Sequence, residues 1–362
     1  MKLTKYFFRY FISYLKLFVL QKLSYKRIPF SAQIEITLQC NANCSFCSIS
    51  HISEAIDSKE MTTEQVKSII RQIADLGILS LSFTGGEPTL REDLPELIHY
   101  SGVKNKLITG LATNGQYLPD LLKNNQLRGL DYILISLDFP KAELHDEIRG
   151  MPLFDKVIES ILLAKQKGIK VIISMNVMKS NLKYVPGMCK LAQKLDCSIE
   201  LFPCEDLPFS NSHGTQFKSE LINELIPNLE LWGKTIRTLR SYFNKILTNS
   251  YSIELIENGG FGKNSEQEEI LKCHVAETYL FVRSDGTVNF PCKIHPLVSF
   301  NALNIPLEQI LNSERVRKIR KKHDDFSFCK GCRFGCAITS SMTAKWSTIY
   351  QKYIKNFLQG NL

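Results

Sequence analysis

The 362-residue sequence predicts an α/β fold, a parallel sheet of six strand–helix repeats with a small cysteine-rich domain behind it and a basic amphipathic helix in front. Three observations predict it. From residue 30 to about 205, short apolar runs alternate with amphipathic stretches, as right-handed βαβ crossovers require. Of the 11 cysteines, Cys40, Cys44 and Cys47 form one tight group and Cys329, Cys332 and Cys336 another. Residues 1–28 carry seven basic residues and no acid.

The elements follow in order. At about 100° per residue, Lys2, Lys5, Arg9 and Lys16 share one narrow stripe, and Phe7, Phe8, Tyr10, Phe11, Tyr14, Leu15, Phe18 and Leu20 fill most of the rest. Arg9 and Lys16 interrupt the apolar run and no small-residue cleavage site follows, so the segment reads neither as a signal peptide nor as a spanning helix. Two placements satisfy the pattern equally: peripheral contact with a membrane interface, or docking of the aromatic face on the main domain.

Gln33–Thr37 reads as the first strand. Thr62 is a candidate N-cap, with Glu64 in the first turn, Val66, Ile69, Ile70 and Ile73 at helical spacing and Gly77 as a stop. Further strands are expected at Leu79–Phe83, Leu107–Ala112, Tyr132–Leu137, Lys170–Val177 and Ser198–Phe202. Helices are expected around Leu94–Tyr100, Tyr117–Lys123, Phe154–Leu162 and Tyr184–Leu195. In such folds chemistry sits at the C-terminal strand ends. Cys40 follows the first strand, Gly85-Gly86-Glu87-Pro88 the second, Thr113 and Asn114 the third and Asp138 the fourth; Asn176 lies near the end of the fifth and Cys204 follows the sixth.

The expected division is a helix over 1–28, a catalytic core over 29–205, a linker with a helix (Leu221–Ile246) over 206–268, a cysteine domain over 269–340 and a closing helix over 341–362. Asn258-Gly259-Gly260 reads as a loop, and Ser284-Asp285-Gly286 as the turn of a hairpin made by Tyr279–Arg283 and Thr287–Phe290.

The net charge of +9 lies mostly in residues 1–28; the other 38 basic residues are nearly matched by 36 acidic ones. No basic stripe marks the main body, which argues against a nucleic-acid partner. Cysteines grouped this tightly indicate metal ligation in a reducing compartment, the cytoplasm, with or without membrane association of residues 1–28.

Cys40-x3-Cys44-x2-Cys47 supplies three thiolates from one loop. An iron–sulfur cubane takes four ligands, so three leave one iron open; zinc with a distant fourth ligand uses the same residues. Spacing leaves both open. With Gly85-Gly86-Glu87 after the second strand and Asp138 after the fourth, residues 30–205 resemble the radical S-adenosylmethionine (radical SAM) superfamily. The resemblance implies a partial (β/α)6 TIM-like barrel, a catalytic 4Fe–4S cluster on Cys40, Cys44 and Cys47, and SAM on the open iron. It places Phe46 beside the adenine, Gly85, Gly86 and Glu87 at the methionine amino group, Ser136 and Asp138 near the ribose and carboxylate, and Arg149 at the carboxylate. Thr113 and Asn114 line the same mouth. The implied activity is reductive SAM cleavage to a 5′-deoxyadenosyl radical that abstracts a substrate hydrogen atom, fed by a one-electron donor such as flavodoxin or ferredoxin.

Cys273 and Cys292 flank the predicted hairpin, and Cys329-x2-Cys332-x3-Cys336 follows. This order resembles the Twitch and SPASM auxiliary-cluster domains. A full SPASM domain carries seven cysteines and two clusters, so five imply a single auxiliary 4Fe–4S cluster. Cys273, Cys292, Cys329 and Cys332 are its expected ligands, with Cys336 spare or replacing one of them; a structural zinc site uses the same set. The implied substrate is a peptide (RiPP-type maturation), with oxidation or epimerisation of a small metabolite, sugar or lipid-linked molecule as the alternative. Cys204 is a candidate hydrogen-atom donor or a buried core thiol. A non-catalytic zinc module leaves Gly85, Gly86, Glu87 and Asp138 unexplained; an electron-transfer module predicts clusters but no 5′-deoxyadenosine.

Overall fold

The computed structural model describes residues 27–47, 49, 59–204, 225–262, 272–323 and 325–344. Alternation along each strand decides the architecture. In β1 (Ser31–Thr37), Ala32, Ile34 and Ile36 are buried with the helices, while Gln33, Glu35 and Thr37 take the other face. The same period recurs in β2 (Ser80–Gly85), β3 (Ile108–Thr113), β4 (Tyr132–Ser136), β5 (Lys170–Val177) and β6 (Ser198–Pro203). Leu81, Phe83, Leu111, Ile133, Ile135, Ile173 and Leu201 then join Ile34 and Ile36 in one core. Gln33, Thr84, Ser136, Ser174, Asn176 and Glu200 mark the opposite face, so helices cover one side and a polar concavity is left on the other.

The six strands lie side by side in chain order, every neighbour parallel. Helix α1 (Thr63–Asp75) shows why these segments are helical. Thr62 caps it and Gln65 reaches back in a capping box, together stabilising the first turn by about 1 kcal/mol. Its Val66, Ile69, Ile70 and Ile73 are fully buried, and Gly77 at φ +82° follows its C-terminus. Then come α2 (Leu94–His99), α3 (Leu118–Lys123), α4 (Ala142–Arg149), α5 (Phe154–Gln166) and α6 (Val185–Lys194). Helix α4 is not marked by any apolar period in the sequence. It ends at Gly150, whose φ of +68° makes the left-handed C-cap.

The expected helix over Leu221–Ile246 is shorter among the described residues. Helix α7 (Leu229–Arg240) starts where Asn228 caps it, just after Pro227, and α8 (Ser250–Glu257), capped by Asn249, follows as a separate helix.

The C-terminal region extends the same sheet. After α9 (Val275–Thr278), β7 (Tyr279–Val282) pairs parallel with β1, and β8 (Thr287–Pro291) pairs antiparallel with β7 through the expected turn. Asp285 Oδ1 accepts from Thr287 N, and Gly286 takes φ +84°. A further strand, β9 (Pro296–Asn301), completes the order β6-β5-β4-β3-β2-β1-β7-β8-β9. Helices α10 (Leu307–Asn312), α11 (Glu314–Lys322) and α12 (Gly335–Ser341) finish the described chain. The expected N-terminal amphipathic helix over 1–28, but for residues 27 and 28, and most of the expected 341–362 helix lie outside the described residues. Among the described residues, no helix is long and apolar enough to cross a membrane.

Candidate active site

The loop carrying Cys40, Cys44 and Cys47 leaves the C-terminal end of β1, and backbone contacts seat it on both sides. Gly86 N donates to Thr37 O at 2.8 Å and Glu87 N to Gln39 O at 2.7 Å. A Cβ at Gly86 would meet Gln39 O at 2.2 Å, so only glycine permits this approach. On the far side Ser45 N donates to Ile148 O at 3.2 Å, and a Cβ at Gly150 would meet Asn43 O at 2.8 Å. The glycine pair therefore seats the cysteine loop itself. Thr37 Oγ1 and Leu38 N both donate to Glu60, and Arg91 Nη1 donates to Ile36 O and Met61 O.

The residues expected at the mouth separate into two groups. Phe46 and Ser136 are partly exposed there. Glu87, Thr113, Asn114, Asp138 and Arg149 are buried and already bonded within the protein. The Glu87 carboxylate accepts from Thr113 Oγ1 and Asn114 N at 2.7 Å, Thr89 Oγ1 at 2.5 Å and Thr89 N at 3.1 Å, joining the ends of β2 and β3. Burial pushes its pKa up, opposed by these donors. Asn114 Nδ2 donates to Asn41 Oδ1, and Thr113 Oγ1 also accepts from Gly115 N. Asp138 Oδ1 accepts from Asn176 N and Oδ2 from Arg149, so this carboxylate ties β4, β5 and α4 together and does not project into the mouth.

Arg149 is bound by its Nε and Nη2 to Asp138 Oδ2, at 2.8 and 2.6 Å. Its Nη1 lies 3.7 Å from Cys44 Sγ, and its guanidinium sits 5.1 Å from the Phe46 ring centroid. His145, in the same helix, accepts from Asp138 N through Nδ1. Burial lowers its pKa to about 4, so it is neutral at pH 7.

The three thiols suit an iron–sulfur cluster. None is in a disulfide; the charge of Cys44 raises the pKa of Cys40, and the charges of Cys44 and Cys40 raise that of Cys47. Burial is the largest cause of the rise in all three, and Cys47 is pushed up to about 11. Thiols in this state become thiolates only when a cation pays for their charge.

The second cysteine set meets in one cavity lined by Cys273, Cys292, Cys329 and Cys332, with His295, His323, Phe328 and Phe334. Burial raises Cys273 well above the usual thiol range, and the charges of Cys332, Cys292 and Cys329 add to this. Four sulfurs in an apolar cavity match the donor set of a cubane. Cys336 does not line it and instead acts on Tyr279. His295 stacks on Phe328 at 5.0 Å, while His274 binds Glu277. The Cys329–Cys332 turn is also seated by glycine: Phe261 N donates to Cys332 O at 2.9 Å, and a Cβ at Gly260 would meet Cys332 O at 2.4 Å.

Cys204 directly follows β6 and is buried, its N donating to Val177 O at 2.7 Å. Cys189 and Cys197 are buried in the core. Sequence reasoning missed Asn41, Glu60, Arg91 and Asn181, which buttress the loops; isolated polar residues beyond strand ends carry no periodic signal.

Comparison with known proteins agrees with this geometry. The radical SAM superfamily model matches residues 34–192, and the SPASM iron–sulfur cluster-binding domain matches residues 273–333. An AdoMet-dependent heme synthase of Methanosarcina barkeri is 28% identical over 310 residues, 83% of this chain and 87% of the relative. A PqqA peptide cyclase of Xanthomonas euvesicatoria is 28% identical over 277 residues, 71% of each chain. SuiB of Streptococcus suis, solved with its precursor peptide SuiA, shares the fold with a TM-score of 0.62 at 19% identity, over 89% of this chain and 74% of that one. The AdoMet-bound anSMEcpe shares it at 0.58 and 18%, over 92% and 99%. The chain carries a radical SAM domain and a SPASM domain, and is an enzyme whose cofactors are SAM and catalytic and auxiliary 4Fe–4S clusters.

Proposed function

We propose that this enzyme matures a peptide by radical chemistry, with Cys40, Cys44 and Cys47 holding the catalytic cluster and Cys273, Cys292, Cys329 and Cys332 the auxiliary one. The observation that carries this reading is the three-cysteine loop at the end of β1, at the rim of the polar concavity. When bound, the reduced cluster and SAM supply a 5′-deoxyadenosyl radical that takes a hydrogen atom from the substrate. The chain's own groups position and shield this chemistry. Gly86 and Gly150 seat the loop, Glu87 and Asp138 lock the strand ends around it, and Phe46 and Ser136 are placed to meet the nucleoside. Gln33, Thr84, Ser174, Asn176 and Glu200 offer the donors and acceptors that peptide amides require. The PqqA peptide cyclase relative supports a peptide substrate. The longer match to the heme synthase favours a second reading, a tetrapyrrole.

The core over 29–205, the auxiliary domain over 269–340 and a cytoplasmic setting with a flavodoxin- or ferredoxin-type donor belong to the same proposal. The test is anaerobic reconstitution with iron and sulfide counts, then SAM and dithionite. Wild type forms 5′-deoxyadenosine and Cys40→Ala does not; equal yields would refute the assignment. Candidate peptides encoded beside the gene and an iron porphyrin, added in parallel, separate the substrates by which one changes mass.

A further inference from the structure

Arg149 is spoken for before any cofactor arrives. Its Nε and Nη2 are committed to Asp138 Oδ2, at 2.8 and 2.6 Å, and its Nη1 points at Cys44 Sγ, 3.7 Å away. The backbone holds this aim. Arg149 is the last residue of α4, and the end of that helix is locked to the cysteine loop by Ser45 N donating to Ile148 O and by the close approach of Gly150 to Asn43. Phe46 covers the guanidinium face from within the same loop. Asp138 is itself fixed by Asn176 N at its other oxygen. A buried cation is thus held against one of the three sulfurs by the Asp138 pair, the helix-to-loop contacts and Phe46.

We propose that Arg149 is a positioning residue for the catalytic cluster, donating from Nη1 to Cys44 Sγ and thereby raising the cluster's reduction potential before SAM binds. Hydrogen bonds and positive charge at a ligating sulfur stabilise the more negative, reduced cluster. The pairing with Asp138 offsets the long-range charge of Arg149 but leaves the directed N–H in place. The claim rests on Cys40, Cys44 and Cys47 holding the cluster.

The test compares full-length, reconstituted wild type with Arg149→Gln and Arg149→Lys, without SAM, by redox titration followed by electron paramagnetic resonance. The catalytic signal is the one that changes when SAM is added afterwards. Arg149→Gln is expected to lower the reduction equilibrium constant about tenfold, which is 59 mV for a one-electron couple. Arg149→Lys, which keeps the charge but loses the fork, falls between. Wild-type potentials in both variants, with only SAM affinity reduced, would overturn the proposal. So would loss of the cluster from both variants, because a donor that tunes a thiolate is dispensable for assembly. If Arg149→Gln does not fold, a lowered potential in Arg149→Lys alone supports it. A wild-type protein that binds no iron at Cys40, Cys44 and Cys47 would instead remove the functional reading beneath it.

Discussion

Gly86→Ala isolates what the glycine pair does. The added Cβ would lie 2.2 Å from Gln39 O, 2.6 Å from Gln39 C and 2.7 Å from Leu38 O, all backbone atoms. Ordinary contact begins near 3.4 Å, so the two loops must separate by about 1 Å. That stretches Gly86 N to Thr37 O and Glu87 N to Gln39 O, now 2.8 and 2.7 Å, beyond hydrogen-bond length. Two lost bonds at about 0.5–1.5 kcal/mol each, with overpacking at about 1–3 kcal/mol, give a loss of roughly 2–6 kcal/mol. Gly77→Ala is the control. It has a positive φ of +82° but nothing within 4 Å, so it bears only backbone strain of about 1–2 kcal/mol. Urea melts of the two variants, with iron content in parallel, make the comparison. If Gly86→Ala is no less stable than Gly77→Ala and keeps its iron, the close-approach account is wrong.

Other consequences are checked in the same way. Glu87→Gln turns a donor toward Thr89, Thr113 or Asn114 and loses at least one charge-assisted bond, so a urea melt should show about 2–4 kcal/mol of destabilisation; a loss below about 1 kcal/mol counts against its buttressing role. His145 is protonated more readily in the unfolded chain (pKa about 6.5) than in the folded one (about 4), so its neutral form favours folding at neutral pH. Its contribution is full above about pH 6.5 and is lost on acidification toward pH 4, at up to about 1.4 kcal/mol per pH unit. His145→Asn should flatten that part of the stability profile, and an unchanged slope would exclude this histidine as its source. Cys332→Ser should lose the auxiliary iron and Cys336→Ser keep it, read by iron and sulfide analysis; the reverse order would move the ligand set. Ile70→Ala, fully buried in α1, should lose about 2–5 kcal/mol in a urea melt.

The fold was readable because periodicity carries it. Ala32, Ile34 and Ile36 against Gln33, Glu35 and Thr37 specify a strand with one helix-covered face, and Val66, Ile69, Ile70 and Ile73 specify the helix that covers it. What escaped reading is local. Helix α4 has few apolar residues, and its place is set by Gly150 and by the loop it touches. Strand β9 lies at the sheet edge with much of its length exposed, so it lacks a clean alternation. The fusion of β7 to β1 is a long-range pairing that no local pattern announces.

The site divides along the same line. Residue type and strand-end position mark Glu87, Asp138 and Arg149 as polar groups at one mouth, but they do not say which way a side chain is spent. A carboxylate that accepts three or four protein donors holds loops together, and one left open meets a ligand. Only the hydrogen-bond partners distinguish the two, and here they turn Glu87 and Asp138 inward. Glycine has the same ambiguity. Gly85-Gly86 reads as a ligand-binding turn and Gly259-Gly260 as an ordinary loop. Yet Gly86 and Gly260 play one part, each letting a backbone carbonyl of a cysteine loop approach to where a Cβ would stand. A cysteine loop exposes unpaired amides and carbonyls around its metal, and a neighbouring glycine lets the main chain come close enough to satisfy them. Both cysteine groups of this chain, one at the end of β1 and one beside α8, meet that requirement the same way.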